Sequence, residues 1–174
     1  MAITYYPATG TKFQVRFTYT KEFLQEMAAE VNQRTIKMLE DSDKRPLIDE
    51  YAIDFDSELA KKCFDDGVSF VLQILRDIRP TYNAPDVYSG SDVIFAIRWG
   101  SLIHEEDLLA LDELIPQAVA AHCVSDWYAY HDHTDLGKKA QEVEKVVMGQ
   151  MAPVELNLYR DINRKVLRNP FSES

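Results

Sequence analysis

The chain has 174 residues, 46% hydrophobic and 28% charged, with a formal net charge of −10 and a pI near 4.8. That length favours one domain able to bury a core without metal or disulfide help, and the ordinary composition argues against wholesale disorder. The acidity excludes general nucleic-acid binding and an anionic membrane surface as partner.

Residues 1–11 hold Pro7 and Gly10 without a clear period and read as an extended arm. Residues 12–19 alternate, with Phe13, Val15, Phe17 and Tyr19 on one face and Gln14, Arg16 and Thr18 on the other, the period of a half-buried strand. A helix is expected over 21–39, capped by Thr20, with Leu24, Met27, Val31, Thr35 and Met38 inward. The polar stretch 40–55 reads as a long loop whose YAIDF segment docks on the body. A second helix is expected over 57–78, capped by Asp56 or Ser57, with Gly67 marking a close helix contact. Residues 80–91 read as loop and 92–99 as a second strand, paired antiparallel with the first. A third helix covers 105–131, where Pro116 either kinks it or opens a new one. A fourth runs from Thr134 or Asp135 to 166, bent at Pro153, with Leu136, Ala140, Val143, Val147, Met151, Val154, Leu158 and Ile162 inward. Residues 167–174 read as a loose tail. The fold class expected is mainly α: one four-helix bundle-like domain, residues 12–166, with a small two-stranded antiparallel β element.

The chemistry-bearing residues do not converge in this reading. His122, His131 and His133 lie near one turn, with Asp126, Asp132 and Asp135 nearby, but His122 and His131, nine apart, fall on opposite sides of a helix, and His131 and His133, two apart, share no helical face. Glu105, Glu106 and Asp107 suit a helix start, and Asp112 and Glu113 follow without sign of a pocket. Cys123 and His122 are neighbours that point about 100° apart on a helix, so they form no dyad. No phosphate loop, dinucleotide fingerprint or serine elbow is present. No apolar run reaches the roughly 20 residues of a membrane span. With no signal-peptide pattern, Cys63 and Cys123 read as buried thiols of a protein made in the cytosol. The expectation is a non-enzyme with no catalytic, cofactor-binding or metal residues.

Protein docking is the reading that remains. Tyr5, Tyr6, Tyr82, Tyr88, Tyr128 and Tyr130 fall in arms, loops or helix ends, where tyrosine serves interfaces. Residues 92–135 carry nine acidic residues against Arg98 alone, whereas Arg160, Arg164, Lys165 and Arg168 make the end of the chain basic. Arg160, Arg164 and Arg168 lie four apart, so a continuing helix would place them together to fork onto the acidic stretch of a neighbouring copy. Phe171 follows Asn169 and Pro170 as an apolar anchor.

A composite pattern over roughly residues 56–168 supports a family resemblance. The segment LAKKCFDDGVSFVLQILRDI is followed by LDELIPQAVAAHCVSDWYAY, a short polar turn, and the long amphipathic AQEVEKVVMGQMAPVELNLYRDINRKV with its basic end. This order resembles the helical head–tail connector (adaptor or neck) proteins of tailed bacteriophages and prophages. The resemblance implies a small non-catalytic bundle, assembled in the host bacterial cytoplasm as a virion ring of about a dozen copies. It implies the portal protein and tail or other neck proteins as partners. The alternatives are a metal-dependent helical-bundle enzyme using the histidines, and a non-viral cytosolic adaptor bundle.

Overall fold

The computed structural model describes residues 2–39 and 48–164. Its elements are β1 (Ile3–Tyr6), β2 (Gln14–Thr20), α1 (Lys21–Lys37), α2 (Glu58–Ile74), β3 (Tyr88–Ser89), β4 (Asp92–Arg98), α3 (Glu105–Tyr130) and α4 (Thr134–Asn163). The fold is mainly α, and the strands form one antiparallel sheet in the order β1-β2-β4-β3.

The two strands legible in the alternation are the centre of that sheet. Phe17 lies directly opposite Phe95, flanked by Val15 opposite Ile97 and Tyr19 opposite Val93. These six side chains turn to the helices and are buried. Each fully buried aromatic ring stabilises the fold by roughly 2–3 kcal/mol.

The expectation of two strands is corrected to four among the described residues, because each central strand has an outer edge to satisfy. β1 closes the edge of β2, with Ile3 opposite Phe17 and Tyr5 opposite Val15, so much of the expected N-terminal arm is zipped to the sheet. β3 closes the edge of β4 through a tight turn at Gly90 and Ser91, where Gly90 has φ +59°. Gln14, expected on the solvent face, is buried and donates to the carbonyls of Tyr82 and Asn83. Phe13, which precedes β2, is 38% exposed.

Helix α1 begins where Thr20 accepts a bond from the Phe23 amide, and α2 where Ser57 accepts from Ala60. The inward stripe of α1 holds at Leu24, Val31 and Thr35, but Met38 lies past the last turn and is exposed. The α2 helix stops at Ile74, short of the expected 78; Leu75 and Ile78 reach the core from the turns that follow.

Helix α3 packs against α1, α2 and α4 and is buried on nearly every side of its second half. Helical structure runs unbroken through Pro116, which is itself buried. By length and composition α3 could cross a membrane, contrary to the reading from apolar runs, but 61% of its most apolar window is buried within the fold. At Gly67 of α2 a β-carbon would stand 2.6 Å from the Val119 carbonyl oxygen, so only glycine lets α2 and α3 approach this closely. The YAIDF segment docks as expected: the Tyr51 carbonyl accepts from Asn32 of α1 and from the Trp127 indole of α3.

Candidate functional site

The three clustered histidines do three separate things. His133 caps α4, its Nδ1 accepting from the Leu136 amide. His131 is exposed at the end of α3, its ring against Trp127 and Tyr51. His122 lies one face away, on the side of α3 that meets α2 and α4.

His122 is half-buried and stacks on Phe70 at 4.2 Å with 10° between the rings. Its Nδ1 is 2.8 Å from Glu144 Oε1 on α4, and its Nε2 is 3.8 Å from Asp126 Oδ1 one turn along α3. Burial alone would lower the His122 pKa, but the Glu144 bond, with the charges of Asp126 and Asp66, raises it above the ordinary value. Asp126 is raised by burial, against the pull of His122, and further by a hydrogen bond with Asp66. The cluster opens on a cleft of about 640 Å³ that Arg76 and Arg79 also line. Both His122 nitrogens face carboxylates, and in its protonated form the imidazole keeps no lone pair for a metal or for a base. Among the described residues no group of three His, Cys, Asp or Glu side chains is placed to hold a metal ion.

Nor do the other candidates assemble. Glu105, Glu106 and Asp107 sit in the first turn of α3. Asp112 accepts the Tyr19 hydroxyl at 2.7 Å, tying α3 to β2, and, against the expectation of no pocket there, Asp112 and Glu113 line an open cleft of about 620 Å³ with Tyr19 and Phe23. Cys63 and Cys123 are fully buried; burial pushes the Cys63 thiol up to about 11 and raises Cys123 further. Both therefore stay protonated and inert as nucleophiles at neutral pH.

The candidate docking residues divide. Tyr5 is half-buried beneath Lys12, edge-on to Trp99 at 5.4 Å. Tyr6 is 40% exposed, between Phe13 and the Arg16 guanidinium. Both belong to the sheet edge rather than to a free arm. Tyr82, Tyr88 and Tyr130 are exposed, but Tyr128 is fully buried and donates to Asn32. Arg160 is exposed on α4, its Nε 3.1 Å from Asp161. The helix ends at Asn163 and Arg164 is extended, so Arg164 does not continue the face of Arg160. Lys165, Arg168 and Phe171 lie outside the described residues.

One surface was missed from the sequence. Between Lys145 and Arg160 the outward side of α4 presents Val146, Gly149, Ala152, Pro153, Leu156 and Tyr159, all exposed. Val146 is 61% and Leu156 63% exposed. The only charged residue in that interval is Glu155, which is half-buried. Beside it, α1 and α4 form an apolar groove of about 430 Å³ lined by Val31, Met38, Val143 and Val146. The readable signal was a second apolar period in the helix, out of phase with the stripe that fills the core. The chain matches no protein-family model, no curated protein and no solved structure.

Proposed function

We propose that this chain is a non-enzymatic assembly subunit that works by docking to protein surfaces, specifically a head–tail connector of a phage or prophage virion, set as a ring between portal and tail. The observation that carries the docking reading is the outer face of α4, with four turns of exposed helix free of exposed charge in a chain that is 28% charged. An apolar strip of that length is uncommon on a surface with no partner. The connector assignment adds the resemblance of residues 56–168, in which a long amphipathic helix, here α4, follows the aromatic-rich end of α3.

Electron microscopy of the purified protein mixed with a portal assembly tests it. The expected result is ring density of about a dozen copies on the portal, weakened by high salt. Absence of binding to any portal would overturn the connector reading. A stoichiometric metal ion after dialysis against a mild chelator would overturn the non-enzymatic one.

A further inference from the structure

The outer face of α4 has an internal order that its apolar character alone does not require. Glu142, Val146, Gly149, Pro153, Leu156 and Arg160 follow one another at steps of four, three, four, three and four. That is the spacing of a helix-pairing seam, and it stands apart from the stripe of Val147, Met151 and Leu158 that fills the core. Four of the six are uncharged or apolar, and the two ends carry opposite charges. Glu142 and Arg160 are eighteen residues apart, five full turns or about 27 Å, so they project in the same direction.

From this order we infer that the seam pairs with the α4 helix of a second copy, antiparallel, about a two-fold axis at Met151. The inference rests on the docking reading and names the partner for that surface. In this register Val146 meets Leu156 of the second copy, Gly149 meets Pro153, and Glu142 meets Arg160, each twice by symmetry. An antiparallel seam pairs its alternating positions in this way, so apolar, small and charged layers all coincide in one register. A parallel pairing would set Glu142 on Glu142 and Arg160 on Arg160.

Gly149 gives independent support. A β-carbon there would meet nothing within 4 Å in the single chain, so the fold itself does not ask for glycine. Glycine inside a helix costs about 0.5–1 kcal/mol relative to alanine. At the central layer, opposite proline, it lets two helix backbones approach. In this register the α4 residues beside the Met38 groove, 142–150, lie opposite residues 152–160 of the second copy, so each groove flanks the far half of the other α4 and extends the contact beyond one helix. A two-fold pair closes at two copies and is the form of the free subunit, in which the α4 face is held by the second copy until a docking partner replaces it.

Sedimentation equilibrium over a wide concentration range tests the pairing. Wild type is expected to form a dimer with a micromolar dissociation constant. Leu156→Asp should abolish it while leaving the melt of the protein unchanged at dilutions where wild type is also monomeric, because Leu156 is exposed in the monomer. Glu142→Arg and Arg160→Glu should each weaken the dimer roughly tenfold or more, by setting like charges opposite at both ends, with the melt of dilute Arg160→Glu showing whether losing the contact to buried Asp161 leaves the fold intact. The double variant should restore it to near wild type. A strictly monomeric wild type, a dimer indifferent to Leu156→Asp, or a double variant no better than the singles would each overturn the inference. A portal-binding protein that is monomeric alone would refute the pairing and keep the docking reading. A dimer that binds no portal would do the reverse for the connector.

Discussion

The two long faces of α4 both carry apolar residues and meet opposite fates. Leu136, Ala140, Val147, Met151 and Leu158 are buried against the body. Val146, Gly149, Pro153 and Leu156 look outward with nothing over them in the single chain. The first face is explained by the fold, since removing it would leave a hole in the core. The second contributes nothing to that core, and its glycine and proline weaken the helix that carries it. On the docking proposal, the second face answers to a partner rather than to the domain.

That contrast gives the largest expected effect. Met151→Asp should cost about 3–5 kcal/mol in urea unfolding of the dilute protein, because it buries an unpaired charge. Leu156→Asp, one and a half turns away, should stay within about 0.5 kcal/mol of wild type. Equal losses in both would mean that the outer face is packed, and the comparison would collapse. The two glycines sharpen it next. Gly67→Ala drives a methyl group to 2.6 Å from the Val119 carbonyl oxygen and should cost about 1–3 kcal/mol. Gly149→Ala meets open space and should instead raise stability by about 0.5–1 kcal/mol, read as a higher denaturation midpoint.

The smallest effect lies where α3 meets α4 at the His122–Glu144 contact. A raised folded-state pKa for His122 supplies stability that is complete below its unfolded value of 6.5 and disappears as pH rises through the folded value. The Asp126 carboxyl, facing His122 and Asp66, acts in the same sense from its ordinary 3.8 upward. The urea midpoint should therefore decline modestly as pH rises from 6.5, and His122→Gln should flatten that decline. A midpoint that climbs over the same interval in wild type would contradict the assigned protonation.

Much of the fold was legible because its signals are local. Thr20 and Ser57 declared their helices by cap chemistry, Gly67 its close contact, and Phe17 with Phe95 the strand pair. β1 and β3 were not, since four and two residues are too few to show a period and owe their pairing to edges made elsewhere. Met38 and Arg164 were misplaced for one reason: a stripe read from spacing does not announce where the helix stops. The outer seam of α4 stayed hidden because two apolar periods in one helix blur each other, and the stronger was read as the whole. Spacing did separate the histidines; it could not show that His122 would reach Glu144 across the packed helices.

The register that joins Gln14 to Arg98 also sets an order of events during synthesis. β2 emerges from the ribosome early, but its central partner follows only after α1 and α2 have been made. Both helices carry their own caps, while the loop that joins the strands must lose its entropy before any pairing returns it. Until then Val15, Phe17 and Tyr19 stand uncovered on a strand with an open edge, able to take β4 from another chain. Translation of residues 21–91 is thus the interval in which this protein is most exposed to strand exchange, and slow decoding there should lower its yield more than slow decoding anywhere downstream.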